Sequence, residues 1–130
     1  MNVFVVEDSP SIRDLIRMSV EDVGGMIIGE AATQQEAITL IGVLNPDVVV
    51  IDLRLPDGNG IEVTRAVKKT HPGTIMIVLT NQARQQVEQA CLAAGADHFF
   101  EKSSTDYLHF RVLLEKLSRV GRAAASGRLG

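Results

Sequence analysis

Acidic, hydroxyl and basic side chains stand at the ends of short apolar runs in this 130-residue chain. The set consists of Glu7 and Asp8 after the first run, Asp52 after the third, Thr80 at the end of the fourth and Lys102 after the fifth. Carboxylates that gather in one place repel each other and resist full ionisation. A divalent cation reverses that charge balance, and a few carboxylates with retained waters favour Mg²⁺. The residue types therefore indicate a magnesium site, provided that the fold brings them together.

A phosphoryl group is the substrate that suits this set of side chains. A cation, the ammonium group of Lys102 and the hydroxyl of Thr80 could hold its three oxygens. Phosphoryl transfer needs little beyond such positioning and charge neutralisation. A carboxylate can also be the nucleophile, which gives an aspartyl phosphate. We therefore predict that Asp52 accepts a phosphoryl group.

Apolar runs alternate with segments of helical period along the chain. The strongest run, residues 48–51, has four branched apolar residues in a row, as expected for a parallel strand covered on both faces. A helix is predicted after the first run, with Ser9 as its cap and Pro10 at its first position. Another begins at Thr33, which forms a capping box with Glu36. Five such strand–helix units predict an α/β domain with a five-stranded, doubly wound parallel sheet.

Parallel strands place the chemical residues at one edge of the sheet. Their crossover connections are right-handed, and ligands bind beyond the carboxyl ends of the strands, where the strand order reverses. Taken alone, an aspartate after a strand is commonly a turn or a helix cap, and a lysine on a loop is usually solvated. The joint pattern at successive strand ends is what favours a site.

The bulk composition restricts the class of protein. A length of 130 residues suits one domain, with its last helix ending near Arg119 and residues 121–130 as a flexible tail or linker. A net charge of −3 gives no support for direct nucleic-acid binding. No signal peptide or membrane span is predicted, so we expect a cytoplasmic domain. The single cysteine, Cys91, is predicted to face the core.

The sequence resembles the response-regulator receiver domains of two-component signalling and phosphorelays. The matching segments are VVED at 5–8, NPDVVVIDLRLPDGNG at 45–60, VLT at 78–80 and GADHFFEK at 95–102. The resemblance implies a receiver domain at residues 1–120, with the flavodoxin-like (βα)5 fold and strand order 2-1-3-4-5. It also implies that the domain is not an enzyme, beyond catalysing its own magnesium-dependent phosphorylation and dephosphorylation.

The resemblance implies roles around the phosphoacceptor. Asp52 would receive the phosphoryl group from a phosphohistidine on a sensor histidine kinase or a histidine phosphotransfer protein. Mg²⁺, or Mn²⁺, would be held by Asp8, Asp52 and the backbone carbonyl of Arg54. Glu7 would act through a metal-bound water.

The resemblance also implies how the phosphoryl group is held and sensed. Its oxygens would be bound by Thr80, the backbone of Asn81 and Lys102. Thr80 and Phe99 would be switch residues that change the surface formed by the fourth helix, the fifth strand and the fifth helix. That surface is where partners are expected to change.

Three residues depart from the usual pattern of this family. Glu7 replaces an aspartate of the acidic pair, a common alternative that we expect to preserve metal binding. Asn81 replaces a small residue, and the hypothesis is that it narrows access to the phosphoryl site and slows or redirects hydrolysis. Ser103 replaces a proline that often follows a cis bond. A cis bond without proline costs about 2.5–4 kcal/mol, so we expect a trans bond there.

Two other functions fit parts of the sequence. A phosphatase of the haloacid-dehalogenase type also uses an aspartate nucleophile, but it needs a second aspartate where Arg54 stands. A pseudo-receiver would use the same fold as a phosphorylation-independent interaction module, and Asn81 and Ser103 keep this alternative open.

The output of the domain is left open by the sequence. A stand-alone receiver and a receiver cut from a longer regulator are both compatible with it, so the output partner or effector domain is unknown. A homodimer through the fourth and fifth helices is compatible with the sequence, although no feature demands it.

Overall fold

The computed structural model describes the backbone of residues 1–82 and 84–129, and the side chains of residues 1–82 and 84–120. The strands of the main sheet are β1 (Asn2–Val6), β2 (Met26–Ala31), β3 (Val48–Ile51), β4 (Ile75–Thr80) and β5 (His98–Glu101). The helices are α1 (Pro10–Asp22), α2 (Gln34–Leu44), α3 (Gly60–Thr70), α4 (Gln85–Ala93) and α5 (Ser104–Leu129). A short antiparallel ladder in the loop between β3 and α3 pairs Arg54–Leu55 with Gly58–Asn59.

The main sheet has the strand order β2-β1-β3-β4-β5, and every neighbouring pair is parallel. This confirms the predicted flavodoxin-like α/β fold with its order 2-1-3-4-5. The order reverses at β1, because the chain adds β2 on one side of β1 and then β3 to β5 on the other. The carboxyl ends of β1 and β3 therefore flank the point where doubly wound folds bind ligands.

The hydrophobic core forms one layer on each face of the sheet. Strand β3 is buried throughout: Val49 and Ile51 pack into the layer under α2, α3 and α4. Val48 and Val50 pack into the opposite layer, under α1 and α5. This is the burial expected of a central strand in a parallel sheet. Cys91 of α4 lies in the first layer, which confirms its predicted orientation.

The capping residues define where the helices begin. The Oγ1 of Thr33 accepts the N–H of Glu36 at 3.2 Å at the start of α2. The Oγ of Ser103 accepts the N–H of Asp106 at 3.3 Å, which makes Ser103 the cap of α5. Ala83, the predicted start of the fourth helix, lies outside the described residues.

Helix α5 is longer than the sequence pattern predicts. The pattern predicts an end near Arg119, but α5 continues to Leu129. Residues 123–125 are alanine, the strongest helix former. The side chains of residues 121–130 are not described, so the role of this segment as a tail or linker stays a prediction.

Among the described residues, none of the helices has both the length and the apolar character needed to cross a membrane.

Candidate functional site

The strand register brings the acidic pair and Asp52 together. Val6 of β1 pairs with Ile51 of β3, so the residues that follow them leave the sheet side by side. The N–H of Asp52 donates to the carbonyl of Val6 at 3.0 Å. One carboxylate oxygen from each of Glu7, Asp8 and Asp52 lies within 4.8 Å of the other two. The structure thus gathers the three carboxylates that the sequence singles out.

Lys102 reaches two of these carboxylates from the other side of the site. Its Nζ donates to Oε1 of Glu7 at 2.5 Å and to Oδ2 of Asp52 at 3.1 Å. Its backbone N–H donates to the carbonyl of Thr80 at 2.8 Å, which ties the loop after β5 to the end of β4. The peptide bond between Lys102 and Ser103 is trans, as the sequence predicts.

Burial and charge shift the titration of two groups in this cluster. Glu7 is buried, and burial raises the pKa of its carboxyl above the ordinary 4.5; the hydrogen bond from Lys102 opposes this rise and the charge of Asp52 adds to it. Burial disfavours the charged form of Lys102, but its contacts with Glu7 and Asp52 outweigh that effect and raise its pKa. Lys102 is therefore a fixed positive charge at physiological pH.

The donor atoms of the cluster suit a hard divalent cation. Glu7, Asp8 and Asp52 offer only carboxylate oxygens, the ligands that Mg²⁺ prefers. Asp8 is exposed, which leaves room for the waters that Mg²⁺ usually keeps. Arg54, whose carbonyl is a predicted ligand, lines the same surface cleft as Asp8.

A cavity of about 570 Å³ opens in front of the phosphoacceptor candidate. Its lining residues are Asp52, Arg54, Thr80, Asn81, Gln82, Arg84, Val87 and Glu101. Thr80 and Asn81 thus share one cavity with Asp52. Thr80 is buried, and its Oγ1 accepts the N–H of Gln82 at 3.1 Å. Asn81 is exposed, so its side chain is available to solvent beside the cavity.

Phe99, the predicted switch aromatic, is not among the residues that line this cavity. It pairs with Val78 in the register between β4 and β5. Its half-buried ring packs against the core layer under α2, α3 and α4.

The sequence predictions do not include Arg13, a cationic side chain that contacts the backbone of the acidic pair. Arg13 of α1 donates through Nη1 to the backbone carbonyl of Glu7 at 2.9 Å. Its Nε lies 3.7 Å from Oε2 of Glu30 on β2, and Arg17 pairs with the same carboxylate. The spacing of Arg13 and Arg17 could have indicated that both point the same way, since residues four apart share one helix face.

Gly60 is a second residue to which the sequence analysis assigns no role of its own. Its N–H donates to the carbonyl of Leu53 at 2.9 Å. A Cβ at this position would lie 2.4 Å from the carbonyl oxygen of Asp52, closer than real Cβ contacts. Glycine therefore allows α3 to start directly against the backbone of the phosphoacceptor candidate.

Comparisons with known proteins agree with this geometry. The family model described as the response regulator receiver domain matches residues 3–112. The chain is 38% identical over 98 residues to protein-glutamate methylesterase/protein-glutamine glutaminase 3 of Hahella chejuensis, which covers 74% of this chain and 28% of that protein. It is 37% identical over 101 residues to the KDP operon transcriptional regulatory protein KdpE of Escherichia coli, covering 78% and 44%.

A solved structure matches nearly the whole chain. It is the crystal structure of a LuxR-family two-component response regulator from Aurantimonas sp. SI85-9A1, with a TM-score of 0.79 and 27% identity. The alignment covers 99% of this chain and 98% of that one. By contrast, this chain spans less than half the length of either curated relative. The match of the family model over most of the sequence shows that the chain belongs to the response regulator receiver domain family.

Proposed function

We propose that this chain is a phosphoacceptor signalling domain that takes a phosphoryl group onto Asp52. The observation that carries the proposal is the contact of Lys102 Nζ with Asp52, beside a cavity that Thr80 also lines. A carboxylate nucleophile, a fixed cation and a hydroxyl group thus stand together. Phosphoryl transfer to a carboxylate needs this kind of positioning and charge neutralisation.

Asp52 acts as the nucleophile in this proposal. One of its oxygens attacks the phosphorus of a phosphohistidine on a sensor histidine kinase or a histidine phosphotransfer protein. The new phosphorus–oxygen bond forms as the phosphorus–nitrogen bond breaks, and the imidazole nitrogen keeps the electron pair. Oδ1 of Asp52 accepts the N–H of Leu53 at 2.7 Å, and Oδ2 accepts from Lys102. The carboxylate is thus oriented before the donor arrives, which lowers the entropic cost of the transfer.

Four residues are proposed to provide the divalent-cation site. Mg²⁺ or Mn²⁺, when bound, would neutralise the charge on the phosphoryl oxygens. Asp8, Asp52 and the backbone carbonyl of Arg54 would be direct ligands. Glu7 would act through a water, because its buried carboxylate is already engaged by Lys102.

Formation of the phosphoaspartate is proposed to switch the surface of α4, β5 and α5. Lys102, the hydroxyl of Thr80 and the backbone N–H of Asn81 would hold the phosphoryl oxygens. Thr80 would then exchange its present contact with the N–H of Gln82 for the phosphoryl group. Phe99 would follow Thr80, which makes the surface a two-state element biased by a local change of charge.

An effector segment or a partner protein is proposed to recognise this switched surface. The two curated relatives are a transcriptional regulatory protein and a protein-glutamate methylesterase/protein-glutamine glutaminase, and the alignments cover less than half of each. The output of a receiver domain can therefore differ widely between proteins that share it.

Phosphorylation by a small phosphodonor tests the proposal. The protein is incubated with Mg²⁺ and acetyl phosphate, and the intact mass is measured under conditions that preserve acyl phosphates. We expect one phosphoryl adduct on the wild type and none on Asp52→Asn. Asp22→Asn is the matched control, since Asp22 is exposed and pairs with Arg111 away from the site.

Two further results complete this test. EDTA should prevent formation of the adduct, because the carboxylate cluster is proposed to work with a cation. The absence of an adduct, together with no stabilisation by beryllofluoride and Mg²⁺, would overturn the proposal. That outcome would favour a phosphorylation-independent interaction module, with Asn81 and Ser103 as the residues to examine.

A further inference from the structure

The loop between β3 and α3 is fastened to the first turn of α2. Oδ1 of Asp57 accepts the N–H of Gln34 at 2.6 Å, and its Oδ2 accepts the N–H of Gln35 at 3.1 Å. In the opposite direction, Oε1 of Gln34 accepts the N–H of Asn59 at 2.9 Å. We call these four residues the α2 clasp.

The clasp uses the open hydrogen-bond donors of a helix start. The first N–H groups of a helix have no partner within it, and a negative charge is favourable at that end. Thr33 already caps α2 from within its own segment by accepting the N–H of Glu36. Asp57 therefore adds a second cap from a segment 23 residues further along the chain. A helix that has its own cap does not need this contact in order to begin.

Gly58 makes room for the clasp. A Cβ at this position would lie 1.8 Å from Oε1 of Gln34, the atom that accepts the N–H of Asn59. Any side chain at position 58 would displace Gln34. The contact between the loop and α2 therefore depends on Gly58 as well as on Asp57 and Gln34.

The clasp is connected to the carboxylate cluster through the loop itself. Asn59 of the clasp pairs with Arg54 in the short ladder, two residues after Asp52. A cleft of about 420 Å³ is lined by Asp8, Arg54, Gly58 and Asn59, among others. The segment held by the clasp is therefore one wall of the space into which Asp8 faces.

We propose that Asp57 is a positioning residue for the cation site. By holding the loop against α2, Asp57 would keep the backbone of Arg54 in place beside Asp8, with which Arg54 shares a cleft. This inference rests on the proposed function, because it assigns Asp57 a role in the cation binding on which phosphorylation of Asp52 depends.

A comparison of two caps of the same helix tests the proposal. Asp57→Ala removes the cap that comes from the loop, and Thr33→Ala removes the cap within the helix's own segment. Mg²⁺ affinity is measured by isothermal titration calorimetry on the full chain. We expect Asp57→Ala to weaken Mg²⁺ binding by about tenfold, the low end of losses for residues that support metal ligands. Thr33→Ala should lower stability without this loss.

Two more variants should lower the Mg²⁺ affinity to different extents. Asp57→Asn keeps one acceptor oxygen and should recover part of the Mg²⁺ affinity. Gly58→Ala leaves Asp57 in place but displaces Gln34, so it should weaken Mg²⁺ binding even if Asp57→Ala fails to fold. Unchanged affinity in the folded clasp variants would overturn the proposal. An equal loss in Thr33→Ala would also overturn it, because general weakening of α2 would then explain the effect.

Hydrogen exchange separates this proposal from the proposed function. If the wild type binds no Mg²⁺, the cation role of Asp57 fails with the proposed function. In the metal-free protein, the amides of Leu53 and Gly60 report the position of the loop, since they bond to Asp52 Oδ1 and the carbonyl of Leu53. Faster exchange of these two amides in Asp57→Ala than in the wild type, with no change in Thr33→Ala, would support the positioning role by itself. The same exchange rates in Asp57→Ala and the wild type would refute it.

Discussion

The Nζ of Lys102 lies 2.5 Å from Oε1 of Glu7, closer than the 3.1 Å that separates it from Oδ2 of Asp52. The lysine is therefore shared, and its shorter contact is with a carboxylate that is not the proposed phosphoacceptor. A divalent cation at the proposed site and a proton on Glu7 would each compete with Lys102 for the charge of the Glu7 carboxylate. The response of the domain to both is measurable.

Mg²⁺ is expected to stabilise the folded protein. A ligand that binds only the folded state adds about 2.7 kcal/mol at 100 times its Kd. Asp8→Asn should remove most of this gain because it deletes the charge of a proposed ligand, whereas Asp14→Asn, at an exposed position on α1, should keep it. Thermal melts followed by circular dichroism in Mg²⁺ and in EDTA measure the effect. Equal melting temperatures for the wild type in both would contradict this prediction.

Glu7 should make a contribution to the free energy of unfolding of the metal-free protein that decreases as pH rises. Because burial raises the pKa of Glu7 above 4.5, this carboxyl holds its proton to a higher pH in the folded protein than in the unfolded chain. This contribution is fully present below pH 4.5 and is lost as pH rises through the folded pKa. Glu7→Gln should lack it. The measurement is urea unfolding in EDTA at several pH values, and a pH-independent difference between the two proteins would refute the prediction.

Two glycine substitutions should have opposite effects on stability. Gly60→Ala places a Cβ 2.4 Å from the carbonyl oxygen of Asp52 and should cost about 1–3 kcal/mol, as overpacking does. Gly42→Ala, on the exposed side of α2, meets nothing within 4 Å and should gain about 0.5–1 kcal/mol. Urea unfolding of both variants checks the signs. A neutral Gly60→Ala would show that the backbone of Asp52 can yield at no cost.

Cys91 should be unreactive in the folded protein. Burial, with a smaller effect from Glu88, raises the pKa of its thiol to about 11, and the thiolate is the reactive form. Labelling with Ellman's reagent at pH 8 should therefore be slow in buffer and rapid in urea. Mg²⁺ should slow it further if the cation stabilises the fold. Rapid stoichiometric labelling without urea would show that α4 opens locally.

The elements and the gathering of the carboxylates could be predicted because they depend on local patterns and on topology. Apolar period and capping residues specify the strands and helices. Once parallel strands are assumed, their carboxyl ends share one edge, which places Glu7, Asp52 and Lys102 near each other. The distances that make Lys102 favour Glu7 depend on packing, and no sequence pattern contains them.

The supporting contacts could not be predicted because they join segments that are distant in sequence. Asp57 has the composition of a turn residue, and only the packing of its loop against α2 makes it a cap for another element. Gly60 likewise belongs to a turn sequence, and its closeness to Asp52 arises from the start of α3. Arg13 carries a helical signal, but its contact with the carbonyl of Glu7 depends on how α1 lies on β1.

The proposed site residues lie at the carboxyl edge of the sheet, and the loop between α3 and β4 lies at the opposite edge. In the loop between α3 and β4, Pro72 and Gly73 are exposed, and a side chain at Gly73 would meet nothing within 4 Å. Exposed loop tips of this kind accept inserted sequence. A fluorescent reporter or a surface tether placed there would be separated from Asp52, the proposed phosphoacceptor, by the length of the strands. The domain could therefore carry a label in the loop between α3 and β4, at the edge of the sheet opposite to the proposed site.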